Sequence, residues 1–123
     1  MLDDIAGDYS EPQCELVKFL LIVNTCEPET VWNALRLGAT ALGHAHEVNV
    51  FLLGPGVEIE SVGAERFDVP ERLAHFLDQG GKVLSCGTCL HHRGLDEAEG
   101  CPISTMDELV ALSEDANRIM TFG

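Results

Sequence analysis

The sequence predicts an α/β domain with a mostly parallel sheet, and two observations lead to this class. Residues 16–24 form a continuous apolar run with β-branched members, which is typical of a strand buried on both faces, and residues 46–54 fit a second buried strand. Segments with apolar residues at helical spacing follow these runs. Strands that alternate with helices indicate βαβ units, and the strands of such units are parallel.

The first half of the chain contains two predicted strands and one predicted helix. After the strand at 16–24, Pro28 suits the first position of a helix, with Asn24 or Thr25 as candidate caps. Gly43 is the predicted end of this helix. Its apolar residues recur at helical spacing, namely Val31, Leu35, Ala39 and Leu42. The second strand, residues 46–54, follows.

The middle of the chain is predicted as a loop, a helix and a strand. Pro55 and Gly56 break the chain, and residues 57–68 carry no pattern that predicts an element. Residues 70–79 fit a helix that ends at the two glycines following it. The segment KVLSC, residues 82–86, fits a short third strand.

The last part of the chain completes the alternation. Residues 89–93 are predicted to form a helical turn that ends at Gly94, because glycine readily adopts the positive φ of such an end. Ser104 followed by Asp107 resembles a capping box for a helix over residues 105–116, and residues 118–122 fit a final strand. With right-handed crossovers, these elements predict a single-domain, flavodoxin-like three-layer sandwich.

Composition divides the chain into a tail and one domain. The chain has 123 residues, of which 46% are hydrophobic, and this suits one globular domain. Residues 1–15 contain five acidic residues and no basic ones, so we expect an acidic, loosely ordered tail. Residues 16–123 are the predicted domain.

The charge of the chain argues against two classes of partner. The formal net charge is -14, whereas binding to nucleic acid or to an anionic membrane requires clustered Lys and Arg. The longest apolar run, residues 19–23, is far too short to cross a bilayer. The start of the sequence lacks the apolar region of a signal peptide, so we expect a cytoplasmic protein.

Five cysteines indicate thiol chemistry rather than a disulfide framework, because the number is odd and the sequence has no secretory features. Two of them, Cys26 and Cys86, follow predicted strands one and three. Ligands gather at the carboxyl ends of parallel strands, near the reversal of strand order. In flavodoxin-like order these two strands are neighbours, so we expect both thiols to face one crevice.

The first strand-to-helix turn predicts that no nucleotide cofactor is bound. Its sequence, NTCEPET, has two glutamates and no glycine. Loops that hold the phosphates of FMN or NAD need glycines for close backbone approach, and glutamates repel phosphate. We therefore predict no cofactor.

The CxxC motif formed by Cys86 and Cys89 is open to several interpretations from its residues alone. Zinc would require four ligands, which the two cysteines, His91 or His92, and Cys101 could supply. A redox dithiol would use a cysteine at a helix N-terminus, where the pKa of a thiol falls. A persulfide carrier would need an exposed, activated thiol with cationic neighbours. Both cysteines could also pack inward and be inert.

A resemblance to a known family separates these alternatives. KVLSCGTCLHHRGL, residues 82–95, resembles the cysteine motif of DsrE-like proteins, in which a strand leads into Cys-Gly-x-Cys-x-x-x-Arg-Gly. The segments LLIVN, HEVNVFLLGPGVE and ISTMDELVALSEDANRIMTF are similar to other parts of that family, so the resemblance covers residues 16–122. It implies a flavodoxin-like subunit that assembles into trimers or hexamers and takes part in sulfur relay.

The resemblance also implies roles for individual residues. It makes Cys86 the thiol that accepts sulfane sulfur as a persulfide, in a sulfurtransferase-type carrier, and makes Cys89 a second thiol of the same site. We predict Gly87, His91, His92, Arg93 and Cys26 as supporting residues. Sulfur donor and acceptor proteins are the expected partners. The alternative is a non-catalytic oligomeric module whose CxxC motif binds zinc or forms a redox or structural disulfide.

Overall fold

The computed structural model describes residues 16–123, so the predicted acidic tail lies outside the described residues. The elements in chain order are β1 (Lys18–Val23), α1 (Pro28–Gly43), β2 (Glu47–Leu52), a 3-10 segment (Gly54–Ser61), α2 (Val69–Asp78), β3 (Lys82–Cys86), α3 (Gly87–His92), β4 (Ile103–Ser104), α4 (Met106–Asp115) and β5 (Arg118–Phe122).

The five strands form one parallel sheet in the order β4-β3-β2-β1-β5. The predicted α/β class is therefore confirmed. The expected neighbour relation of β1 and β3 was wrong, because β2 lies between them. Each crossover from β1 to β4 steps to the next position in the same direction, and only the last crossover returns to place β5 beside β1. The sequence pattern carries no information about the direction of each step.

The helices cover both faces of this sheet. Right-handed crossovers that step in one direction place α1 and α2 on the same face, where the two helices contact each other. The return step from β4 to β5 places α4 on the opposite face, where it contacts β1. The result is three layers, helix, sheet and helix, as predicted.

The core between α1, α2 and the sheet is centred on Phe76, which is 0% exposed. Gly38 of α1 allows the helices to approach each other, since a Cβ added there would lie 2.7 Å from the Phe76 ring and 3.4 Å from Leu21. Neighbouring side chains of the central strands, such as Val50 and Phe51, are both fully buried. This explains why apolar residues stand next to each other in these strands instead of alternating with polar ones.

Two helix caps differ from those predicted. Glu27 caps α1, where its carboxylate accepts the backbone N–H of Thr30 at 2.8 Å, so neither Asn24 nor Thr25 is the cap. Thr105 caps α4, where its hydroxyl accepts the N–H of Glu108 at 3.1 Å. The capping contact is therefore shifted by one residue from the predicted Ser104 and Asp107 pair, because Ser104 still belongs to β4.

Two short elements had no counterpart in the sequence prediction. The 3-10 segment occupies the start of the region predicted as loop, and β4 has only two residues. Strand β4 is too short to show a hydrophobic period, and the 3-10 segment begins at residues 54–56, where the Pro55 and Gly56 pair predicts a chain break. Within residues 16–123, no helix is both long and apolar enough to cross a membrane.

Candidate functional site

Cys86 occupies the junction that the sequence predicted for it. It is the last residue of β3 and the residue that precedes the first turn of α3. Its backbone is extended, with φ -64° and ψ 118°, and the helix begins at Gly87. Because β3 lies between β2 and β4, the thiol stands at the carboxyl edge of the sheet with one neighbouring strand on each side.

A cleft of about 320 Å³ opens beside Cys86, between the start of α3 and the start of α4. It is lined by Cys86, Gly87, Thr88, Ile103, Ser104, Thr105 and Met106. This space is roomier than the about 30 Å³ that one water molecule occupies. Cys86 is 3% exposed, although the persulfide interpretation called for an exposed thiol. The cleft is therefore the opening that leads to the Cys86 thiol.

Gly87 brings the first turn of α3 close to β4. A Cβ at this position would lie 3.2 Å from both the Ile103 side chain and the carbonyl oxygen of Ser104. Such distances are tighter than ordinary van der Waals contact, so a larger residue would push α3 away from β4. The absence of a side chain at Gly87 thus allows the close approach of α3 and β4 beside the cleft.

The second thiol is held in place from the other side. The Sγ atom of Cys89 accepts the backbone N–H of Gly54 at 3.2 Å, so it is anchored just beyond the carboxyl end of β2. Gly54 has φ +52°, and a Cβ there would lie 2.2 Å from the Asn24 side-chain oxygen. Only glycine satisfies both the left-handed backbone and this contact.

The surroundings of Cys89 keep its thiol protonated. Burial raises the pKa of Cys89 above its ordinary value of 9.0, and the adjacent Cys86 thiol raises it further. The N–H of Gly54 and the charge of Arg93 lower it, but they do not outweigh the burial. At neutral pH Cys89 is therefore a protonated thiol that lies next to Cys86.

The predicted cationic residues lie at the end of α3 rather than around Cys86. Arg93 donates from Nε to the Glu58 carboxylate at 2.6 Å and from Nη1 to the carbonyl of Cys89 at 3.2 Å. It therefore ties α3 to the 3-10 segment. His91 and His92 are exposed, and neither lines the cleft. Gly94 has φ +64°, which confirms its predicted turn conformation.

Cys26 is not brought to the cleft. It is half-buried in the turn after β1. Neighbouring strands lie about 4.8 Å apart, so β1 and β3, with β2 between them, are separated by about 10 Å. The expectation that Cys26 and Cys86 face one crevice was wrong because it assumed that their strands are neighbours.

The four residues of the zinc interpretation are not brought together. Within residues 16–123, no group of three or more His, Cys, Asp or Glu side chains is close enough to hold a metal ion. Cys101 is 0% exposed, and burial, with a smaller contribution from Glu60, raises the pKa of its thiol to about 11. Its carbonyl accepts the Ser85 hydroxyl at 3.3 Å, so this residue supports the end of β3.

Some residues of the site were missed by the sequence prediction. Ile103 and Met106 line the cleft and are 57% and 55% exposed as residues. They lie far along the chain from Cys86, on an element of two residues and on the helix after it. Gly54 was also missed as an anchor, although a glycine directly after a buried strand is a recognisable signal for close backbone approach.

Comparison with known proteins places this site in a family context. Residues 17–122 match the model of the DsrE/DsrF-like family. An uncharacterized protein of Methanocaldococcus jannaschii is 34% identical over 114 residues, which cover 86% of this chain and 100% of that protein. An uncharacterized protein of Methanopyrus kandleri is 35% identical over 100 residues, with 76% and 83% covered.

Two solved structures are similar in fold. The crystal structure of the YchN protein from Escherichia coli has a TM-score of 0.77 at 24% sequence identity and covers 87% of this chain and 100% of that one. A conserved protein of unknown function from Bacteroides thetaiotaomicron has a TM-score of 0.68 at 18% identity, with 85% and 93% covered. The family match extends over nearly all of the described residues, so this chain belongs to the DsrE/DsrF-like family.

Proposed function

We propose that this protein is a sulfur carrier in which Cys86 accepts sulfane sulfur as a persulfide and passes it to a partner protein. The observation that carries the proposal is the placement of a free thiol at a strand-to-helix junction, where it opens on a cleft with room for an additional sulfur atom. Membership of the DsrE/DsrF-like family supports it, since sulfur relay is what the motif resemblance implies.

The proposed reaction is a pair of thiol exchanges. The Cys86 thiolate attacks the outer sulfur of a donor persulfide, the S–S bond of the donor breaks, and the donor leaves as a thiolate. Cys86 then carries one extra sulfur as Cys86–S–SH. In the second exchange an acceptor thiolate attacks that outer sulfur, and Cys86 leaves as a thiolate. The sulfur atom moves from donor to acceptor, and no net oxidation or reduction of the carrier occurs.

The cleft supports this reaction by sheltering the bound sulfur. Cys86 is almost fully buried, so the outer sulfur of its persulfide would lie in the cleft rather than in bulk solvent. A partner must then dock at the rim, where Ile103 and Met106 offer exposed apolar contacts. The net charge of -14 favours partners with a basic docking surface.

The proposal extends to assembly and compartment. The family resemblance implies a homotrimer or homohexamer, and light scattering coupled to size-exclusion chromatography measures the number of subunits directly. Four free thiols among residues 16–123 suit a reducing compartment, so we place the carrier in the cytoplasm, with sulfur donor and acceptor proteins as its partners.

The test is intact-mass spectrometry after anaerobic incubation with polysulfide. The native chain is expected to gain the mass of one sulfur atom, and Cys86→Ser is expected to gain none. Cys101→Ala is the matched control, because it removes a buried thiol outside the cleft and should load like the native chain. Equal loading of Cys86→Ser and the native chain would remove Cys86 as the carrier.

A further inference from the structure

We propose that Cys89 is a resolving thiol that discharges the Cys86 persulfide as hydrosulfide, which gives the site a second, dithiol-dependent sulfane-sulfur reductase activity. This inference rests on the proposed function, since it begins from the loaded carrier. It adds a fate for the sulfur other than transfer to an acceptor protein, and it assigns a chemical reason for the second cysteine of the motif.

The groups that take part in the discharge lie on the two sides of β3. On the β4 side of Cys86 lies the cleft, which Ile103 and Met106 line and Cys89 does not. On the β2 side lies Cys89, whose sulfur is held at 3.2 Å by the N–H of Gly54, directly after β2. Because β3 lies between β2 and β4, Cys89 is anchored on the β2 side of Cys86 and the cleft opens on its β4 side.

This arrangement suits displacement at sulfur. In thiol–disulfide exchange a thiolate attacks one sulfur while the bond to the other sulfur breaks. When the outer sulfur of the persulfide points into the cleft, Cys89 approaches the inner sulfur from behind, and the departing hydrosulfide leaves through the cleft. The two cysteines are three residues apart, with Cys86 directly before α3 and Cys89 in its first turn, and this spacing makes their side chains neighbours at the start of the helix.

The discharge step balances as an internal redox reaction. Cys86–S–SH and Cys89–SH give the Cys86–Cys89 disulfide and hydrogen sulfide. The new bond joins the two Sγ atoms, the persulfide S–S bond breaks, and the proton of Cys89 ends on the departing sulfide. The outer sulfur is reduced to sulfide while the two cysteines are oxidised to a disulfide. A dithiol reductant, such as dithiothreitol, then returns both cysteines to thiols and completes the turnover.

The protonation of Cys89 controls the competition between the two fates of the sulfur. The attacking group is the thiolate, and burial raises the pKa of Cys89, so only a small thiolate fraction is present at neutral pH. A loaded carrier therefore persists long enough to meet an acceptor.

The experiment follows a single turnover of the loaded protein. Reduced protein is loaded anaerobically with less than one equivalent of polysulfide sulfur, desalted, and held without reductant at several pH values. Released sulfide is measured by derivatisation with monobromobimane. Intact-mass spectrometry after thiol alkylation separates the persulfide, the reduced chain and the chain that has lost two hydrogen atoms. The proteins compared are the native chain, Cys89→Ser and the control Cys101→Ala.

The native chain and Cys101→Ala are expected to release one sulfide for each disulfide formed, whereas Cys89→Ser keeps its persulfide. A native chain that keeps the persulfide as long as Cys89→Ser does overturns the inference and leaves the carrier intact. If neither protein takes up sulfur, the proposed function itself fails. If Cys89→Ser misfolds, the native chain alone tests the role of Cys89. Release of sulfide by the native chain without an equal amount of disulfide would rule out Cys89 as the resolving thiol.

Discussion

The native protein is expected to lose unfolding free energy at alkaline pH because of Cys101. The variant Cys101→Ala is expected to lack this loss. Cys101 is 0% exposed, and burial raises the pKa of its thiol from 9.0 to about 11. The unfolded chain loses this proton at the ordinary pKa, whereas the folded chain keeps it. The folded-state pKa is the raised one, so the stabilising contribution is full below about pH 9 and is lost as the pH rises toward 11.

The expected magnitude follows from the gap between the two pKa values of Cys101. Each pH unit in this gap corresponds to about 1.4 kcal/mol of unfolding free energy. The loss is therefore about 1.4 kcal/mol near pH 10 and approaches about 2.7 kcal/mol at its limit. A domain of this size has a total stability of about 5–15 kcal/mol, so the effect is readily measurable.

The assay is urea unfolding with reductant present, followed by the fluorescence of Trp32, at a series of pH values between about 8 and 10.5. Other groups titrate equally in both proteins, so the difference between native chain and Cys101→Ala isolates this thiol. At the lower pH the native chain is expected to be more stable than Cys101→Ala, because the variant lacks the buried sulfur and its packing contacts. That difference is expected to shrink as the pH rises, and a difference that stays constant would refute the assignment.

The same structure predicts the results of three other substitutions. Ile103→Trp fills the mouth of the cleft and is expected to slow sulfur loading of Cys86 about tenfold in a polysulfide time course, whereas unchanged loading would exclude the cleft as the route. Gly54→Ala is expected to lower the free energy of unfolding in urea by about 2–4 kcal/mol. Gly54 has a left-handed φ, which is unfavourable for alanine, and the Asn24 side chain occupies the place of the added Cβ. Gly43→Ala is the control, because a Cβ at Gly43 would meet open space, and its unfolding free energy is expected to change by no more than about 0.5 kcal/mol. Equal losses of stability at both positions would contradict this reasoning. Phe76→Ala is expected to cost about 3–5 kcal/mol by the same measurement, and a cost under about 1 kcal/mol would be inconsistent with its burial.

The predicted elements near the site agree with the structure where the signals are local. Strand β3 was predicted at residues 82–86 and is found at Lys82–Cys86, because a short apolar run stands between two glycines and a helical turn. The helix predicted over residues 70–79 is found at Val69–Asp78, and the final strand over 118–122 is found at Arg118–Phe122. In each case, residues within one turn or one strand carry the deciding information.

The errors concern elements and relations that involve distant residues. Strand β4 is two residues long and exists because Ser85 and Cys86 offer it backbone partners, which no local pattern reveals. Cys86 is 3% exposed beside a cleft lined by Ile103 and residues after it, whereas the sequence around the motif suggested an exposed thiol. Cys26 was placed beside Cys86 only through an assumed strand order.

By itself, the sequence determined the alternation of strands and helices, the parallel sheet, and the placement of Cys86 at the end of a strand with Cys89 in the helical turn that follows. These features follow from hydrophobic periodicity and turn chemistry, which act over a few residues. Only the tertiary structure decided that Gly54 anchors Cys89, that β4 and α4 close a cleft over Cys86, and that β2 separates Cys26 from the site. These features depend on the direction of each crossover, which is set by the packing of the whole chain.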